Sequence, residues 1–189
     1  LALTGDPDLL QPALLRLRSD GTVDPTFGLS GRAAHPSARD IVPAALRRLS
    51  DGRLLAVGAY VPIHNALTGL QTLMRFEADG RADLSYGRGG LAEERAGATS
   101  FVTSSPFVAV QCDDAVLTVT TASGSSAMVH RFTPDGRLDP AFGRDGGVIL
   151  PRLVVTTFGQ ALRIAPDGRS VLALSIASDG RLGLHRLAL

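Results

Sequence analysis

The chain has 189 residues, of which 44% are hydrophobic and 20% charged, and its 19 basic and 18 acidic side chains leave a net charge of +1. A balance this even provides no electrostatic field that would favour nucleic acid or a membrane surface. All the basic residues are arginines, which excludes lysine-dependent chemistry such as Schiff bases, Walker A phosphate loops and Ser-x-x-Lys nucleophiles.

Strand-like runs separated by turn signals follow one another along the chain, and no long segment has the apolar spacing of a helix. Hairpins around an Asp-Gly or Asp-Asp turn are predicted at residues 45–60, 107–121 and 161–176. Each alternates with a second hairpin, so that one period holds four strands, which we label A to D from the centre outward. We therefore predict an all-β fold of β-propeller-type blades, each with four antiparallel strands.

In chain order, the blades are predicted as a partial blade, two complete blades and a second partial blade. The first contributes strands B, C and a short D, and the last contributes A, B and C. This makes about three and a half blades, fewer than the four to eight that usually close a ring. We expect the array to belong to a larger or oligomer-closed propeller and the isolated chain to self-associate. The predicted boundaries are residues 1–34, 40–93, 106–150 and 158–189.

One motif defines the second hairpin of each period. It reads LLRLRSDGTVDPTFG at residues 14–28, LMRFEADGRADLSYG at 73–87 and VHRFTPDGRLDPAFG at 129–143, and residues 183–189 match its beginning. An arginine recurs every 55 to 59 residues, followed by Asp-Gly, a second aspartate and an aromatic-glycine pair. Fixed-period similarity of this length is typical of propeller blades and solenoid turns.

We predict a structural role for the recurring arginines and for the aspartates that follow them in the motif. A hairpin brings the two ends of this segment together, so each arginine can pair with its aspartate. The alternative is a ring of arginines that binds an anion. The aromatic-glycine pairs are expected to wedge between neighbouring blades. The repeat residues concerned are Arg16, Arg75, Arg131, Arg186, Asp24, Asp83 and Asp139.

A binding site is expected on the connections that vary between blades rather than on the regular Asp-Gly turns. The B–C and D–A connections share one face of the array, and variable loops on a rigid scaffold often bind ligands. Two further arginines recur on the inner strands, beside the central opening of a propeller. The binding candidates are His35, Arg39, His64, Asn65, Glu93, Glu94 and Arg95 on the connections and Arg47 and Arg163 on the inner strands. For each loop residue, a solvated surface side chain is the alternative.

No cofactor, metal or catalytic residue is predicted. His130 and His185 occupy a strand position that is Leu15 or Met74 in other repeats, so they are expected to pack. The Asp-x-x-x-Asp segments lack the oxygen spacing of an EF-hand, although calcium remains an alternative. Cys112, the only cysteine, is expected to be a small buried apolar side chain.

The run from the arginine through Asp-Gly, Asp and Phe-Gly resembles the delta-60 repeat family of bacterial proteins, and the similarity covers nearly the whole chain. That family's repeats look like β-propeller blades, and the resemblance implies a secreted or cell-surface protein without naming an activity. The chain departs from the pattern where Asp113-Asp114 replaces Asp-Gly and where Tyr86 replaces phenylalanine. These departures affect the expected local turn geometry.

The favoured hypothesis is a non-enzymatic repeat module, a scaffold or binding surface whose ligand is a protein or a glycan. The alternative is a propeller lyase or hydrolase that acts on a sugar or carboxylate at the central opening, with Arg47 and Arg163 polarising the substrate. That chemistry needs an acid and a base converging there, and the sequence offers no clear pair. No membrane span is predicted, because no apolar run approaches the roughly 20 residues of a membrane helix.

Overall fold

The computed structural model describes residues 2–6, 11–60, 70–95, 107–122, 126–151, 161–165, 170–176 and 181–188. Fourteen strands make up the regular structure of these ranges, and no helix is found within them. The predicted fold class is confirmed, since the strands form antiparallel sheets of up to four strands. No helix in this part of the chain is long and apolar enough to cross a membrane.

Four sheets follow one another along the chain, and within each sheet the strands pair in sequence order. The first contains β1 (Ala2–Asp6), β2 (Gln11–Leu15) and β3 (Arg32–Ala34). The second contains β4 (Ile41–Arg48), β5 (Leu54–Tyr60), β6 (Leu70–Phe76) and β7 (Leu91–Arg95). The third contains β8 (Phe107–Val110), β9 (Val116–Ala122), β10 (Ser126–Phe132) and β11 (Gly147–Pro151). The fourth contains β12 (Ala161–Ile164), β13 (Ser170–Ile176) and β14 (Leu182–Ala188).

The first strands of successive sheets lie beside one another. β4 contacts β8, and β8 contacts β12. In the two complete sheets these strands form one edge, and β7 and β11 form the other. The sheets are therefore arranged like blades, with their A strands towards a common side and their D strands outermost.

Within the described residues, the core contains three apolar clusters, each between two neighbouring sheets. In the second sheet, Ala56 and Met74 pack against the first sheet, whereas Val57 and Leu73 pack against the third. β5 is consequently buried along almost its whole length and reads as a continuous apolar run. The hydrophobic stabilisation therefore comes from burial of both faces of a sheet between its neighbours, not from a single apolar face.

The Asp-Gly pairs form the turns that their sequence predicts. At Asp20, Asp51 and Asp79 the aspartate Oδ1 accepts a hydrogen bond from the backbone amide two residues later, as Asp20 does from Thr22 at 2.9 Å. At Asp135 the corresponding amide, that of Arg137, donates to the Thr133 hydroxyl instead. The glycine takes a positive φ, 85° at Gly21. In the third sheet, Asp114 replaces the glycine with a φ of 63°, and its carboxylate accepts bonds from the Ser50 amide and hydroxyl at 2.9 and 2.6 Å. This departure from the repeat thus links the turns of two sheets.

The expectation for Cys112 was wrong. Its side chain is exposed, because the residue falls in the turn between β8 and β9 and not inside a strand. The strand-like run that contains it is interrupted by the Asp113-Asp114 turn, so the residues on either side of that turn leave the sheet.

Candidate functional site

The recurring arginine of each complete motif lies in contact with the aspartate eight residues later. In every case, a guanidinium nitrogen approaches Oδ2 of the carboxylate. The distances are 2.8 Å for Arg16–Asp24, 2.6 Å for Arg75–Asp83 and 3.1 Å for Arg131–Asp139. In the fourth sheet, Arg186 donates instead to the Ser170 hydroxyl at 2.9 Å. The hairpin geometry of the motif therefore places both partners where an ion pair forms.

The pair in the second sheet is the most deeply buried. The side chains of Arg75 and Asp83 are 6% and 7% exposed, and Arg53 approaches the same carboxylate oxygen at 3.1 Å. Burial opposes ionisation of Asp83, but hydrogen bonds from the Ser85 hydroxyl and the Arg75 guanidinium outweigh it and lower the pKa of Asp83 to about 2. Asp83 is thus held as a carboxylate between two arginines.

The first two motifs also contact the Asp-Gly turn of the next sheet, an arrangement that we call the inter-blade clasp. The Gly28 amide donates to the Asp79 carbonyl at 2.7 Å, and the Gly87 amide donates to the Asp135 carbonyl at 2.7 Å. Arg75 Nη1 donates to the Pro134 carbonyl at 2.5 Å. The repeat therefore couples one blade to the next through backbone hydrogen bonds.

The aromatic residue of the motif packs against the arginine and the incoming turn of the clasp. The guanidinium carbon of Arg75 lies 4.5 Å from the centre of the Tyr86 ring, and that of Arg16 lies 4.9 Å from the Phe27 ring. A methyl group added to Gly136 would lie 2.8 Å from both the Gly87 amide and the Tyr86 ring. Only a glycine in the incoming turn can approach this closely.

We expect Gly136→Ala to destabilise the protein by at least about 2 kcal/mol more than Gly21→Ala, measured as the difference in free energy of unfolding in urea. Both glycines occupy the same turn position with φ near 85°, so backbone strain is common to both variants. Gly21 is the matched control because a methyl group there meets no other atom within 4 Å. Equal losses of stability would contradict the clasp.

The structure places the predicted loop candidates in different environments. His35 is fully buried against Phe76 and the backbone of Gly90, so its side chain does not face solvent. This burial lowers the pKa of His35. Arg39 and Glu93 are exposed. Glu94 is partly exposed, and its Oε1 lies 3.9 Å from His130 Nε2. Arg95 ends β7, and His64 and Asn65 lie outside the described residues.

The two inner-strand arginines lie on β4 and β12, on either side of β8. Arg47 donates to the carbonyl of Val108 on β8 at 3.3 Å, so it ties two inner strands together. Arg163 is exposed. The three inner strands read IVPAALRR, FVAV and ALRI and contain no acidic, histidine, hydroxyl or thiol side chain. These strands therefore supply no general acid, base or nucleophile for chemistry at the central side.

Two equivalent grooves lie where one blade meets the C–D turn of the next. The first, of about 480 Å³, lies between residues 28–36 and residues 80–82. The second, of about 450 Å³, lies between residues 87–93 and residues 132–138. Each contains the arginine that follows an Asp-Gly pair, Arg81 or Arg137, whose charge is partly neutralised by the preceding aspartate. The repeat therefore also repeats a surface groove.

A polar surface lies between the second and third sheets, and it involves residues that the sequence interpretation did not select. His130 is only 3% exposed, and burial lowers its pKa to about 4. Gln71, Thr118 and Thr120 are also buried at this interface. The sequence signal was available, because His130 and Thr118 replace the apolar residues Met74 and Ala56 of the preceding blade. Among the described residues, no three acidic, histidine or cysteine side chains converge as metal ligands.

Comparison with known protein families is consistent with this architecture. Residues 9–27, which contain the first Arg-to-Phe motif, match the family described as "Domain of unknown function (DUF5122) beta-propeller". No curated protein matches the chain significantly. The short family match and the four-stranded antiparallel sheets together indicate that this chain is an all-β protein built from β-propeller repeats.

Proposed function

We propose that this chain is a non-enzymatic repeat module, of the delta-60 type, that serves as a scaffold and binding surface in a secreted or cell-surface protein. The observation that carries the proposal is the inter-blade clasp. The charged and aromatic side chains that recur with the repeat contact their own blade and the next, so the motif encodes stacking. The inner strands, where a propeller enzyme would need an acid and a base, carry apolar residues and arginines.

The grooves between blades are the surface that the proposal assigns to a protein or glycan ligand. They recur with the blades, so an extended or repetitive ligand can contact several of them at once. Arg81 and Arg137 stand at equivalent places in the two grooves and supply hydrogen-bond donors. The secreted or surface location rests on the resemblance of the motif to the delta-60 repeats.

Binding to a glycan array and a peptide library tests the proposal. We expect saturable binding that the double variant Arg81→Ala/Arg137→Ala weakens at least about tenfold. Arg18→Ala is the control, because Arg18 is exposed and lies in neither groove. Turnover of any bound glycan by the purified chain would contradict a non-enzymatic role, and binding that survives the double variant would remove the grooves from the proposal.

The face of the fourth sheet that carries Leu184 and points away from the third sheet supports self-association. Leu14, Leu73 and Val129, two residues before the recurring arginines, are buried by the following sheet. Leu184 holds the same position before Arg186, yet 69% of its surface is exposed. We propose that a blade of the same kind, from a second copy of the chain, covers this face.

Sedimentation velocity at micromolar concentration measures this association. The unmodified chain is expected to sediment as a dimer or larger species, and Leu184→Glu is expected to shift it towards the monomer. Leu29→Glu is a matched control, since Leu29 is equally a leucine exposed on the surface, at 84%, but lies away from this sheet. A monomeric wild-type chain would overturn the proposal.

A further inference from the structure

The interface between the second and third blades differs from the preceding interface at three positions that the repeat makes equivalent. In the third sheet, His130 is paired with Thr118 on one side and with Gly147 on the other, so these three residues are neighbours on one face. In the second sheet, Met74 is paired with Ala56 and Leu91 in the same way. The substituted positions are His130 for Met74, Thr118 for Ala56 and Gly147 for Leu91. Two of these neighbouring changes replace an apolar side chain by a polar one, and the third replaces a bulky side chain by a glycine.

The polar atoms gathered at this interface are not satisfied by the protein. Four of them are buried and have no hydrogen-bond partner, which is unusual because each such atom costs about 1–3 kcal/mol. They are His130 Nδ1, Thr118 Oγ1, Thr120 Oγ1 and Gln71 Oε1. The Glu94 carboxylate of the second blade faces His130 from across the interface, 3.9 Å from Nε2.

Gly147 opens this polar surface to a groove. The groove has a volume of about 570 Å³ and reaches both His130 and Glu94, with Met128 and Ile149 as apolar walls. A methyl group on Gly147 would lie 2.6 Å from Met128 Cε and 3.3 Å from His130 Cδ2. Any side chain there, such as the leucine of the preceding blade, would fill the space beside the imidazole.

We propose that this groove binds a sugar-like, polyhydroxylated ligand, with hydroxyl groups donating to Glu94 and His130 and a carbon face packed on Met128 and Ile149. Glu94 and His130 offer hydrogen-bond acceptors to the groove, so the ligand has to bring donors. Arg144 and Asp145 lie together at the rim, 3.9 Å apart, so their charges offset each other, and an amine is the other source of donors that the test includes. The inference rests on the proposed binding function and narrows it to one site and one ligand class.

The test is saturation-transfer NMR of the whole chain with glucose, galactose, mannose and N-acetylglucosamine, and with putrescine as an amine probe. We expect one or more of the sugars to bind with a Kd on the order of 1 mM. Gly147→Leu and His130→Met install the residues that the preceding blade carries at these positions, so both variants are expected to fold. Each should raise the Kd at least about tenfold. Arg18→Ala, at an exposed residue that lines none of the three grooves, should leave it unchanged.

The outcomes separate this inference from the broader proposal. Loss of sugar binding in Gly147→Leu and His130→Met, with retention in Arg18→Ala, supports the site. Sugar binding that is unaffected by Gly147→Leu overturns the site and leaves the binding module standing. Binding of putrescine alone, or of none of the probes, overturns the ligand class, while the array experiment decides separately whether the chain binds larger ligands at its grooves.

Discussion

Replacing Arg75 by methionine is expected to lower the stability of the protein by about 3 kcal/mol and its melting temperature by on the order of 10 °C. Methionine keeps the length of the side chain but removes the charge. Asp83, 7% exposed, would then keep only Arg53 as an ion-pair partner, beside its hydrogen bonds from Ser85, and the Pro134 carbonyl of the next blade would lose its donor. An unbalanced charge in a buried position is costly because little solvent reaches it.

Arg81→Ala is the control for this experiment. Arg81 also pairs with an aspartate of the same hairpin, at 2.9 Å, but its side chain is 78% exposed. Its loss is expected to change stability by no more than about 0.5 kcal/mol. Thermal unfolding followed by circular dichroism measures both variants. If Arg75→Met melted within about 2 °C of the wild type, the recurring arginines would be surface charges, and an anion-binding role would become the better explanation.

Acidification from pH 6.5 to 4 is expected to remove on the order of 3 kcal/mol of stability through His130. Burial lowers the pKa of His130 to about 4, whereas the unfolded chain titrates at its ordinary value of 6.5. The unfolded state therefore takes up a proton at higher pH than the folded state. The stability is fully present above pH 6.5 and is lost as the pH falls towards 4.

His130→Met, which copies Met74 of the preceding blade, should abolish most of this loss in urea unfolding measured across the pH range. Part of it will remain, because burial also lowers the pKa of His35. The aspartates affect stability in a different, more acidic pH range. The pKa values of Asp24 and Asp83 are about 2, so their contribution is lost only below their ordinary value of 3.8. Equal acid sensitivity of wild type and His130→Met between pH 6.5 and 4 would contradict the assignment.

The repeat made the fold class predictable because the motif is local. The arginine, the Asp-Gly turn and the second aspartate lie within nine residues, so the hairpin that joins them is determined by neighbours in the chain. The same argument predicted the pairing of Arg75 with Asp83, but it could not predict which of the ion pairs is the most deeply buried. Arg75 is almost fully buried and Arg131 is not, and this difference depends on how the next blade covers each arginine.

The candidate site was less predictable, because the sequence indicated binding on the loops that vary between blades. His35 stands on such a loop, yet it is buried against Phe76 and Gly90 of the following sheet. His130 was read as a packing residue because its position accepts apolar side chains, and it is indeed buried. What distinguishes it is the set of neighbours, Thr118, Gly147 and Glu94, which lie on three other strands in two sheets.

The residues alone therefore specify strands, turns and the blade as a unit, since each of these is settled by contacts within a few tens of residues. Which side chains share an interface, which ion pair is buried and where a polar surface opens between two blades depend on the stacking of sheets. Stacking brings together residues such as Glu94 and His130, 36 positions apart, and no local pattern reports on that contact. Burial decides the energy of each charge, and burial is a property of the assembled blades.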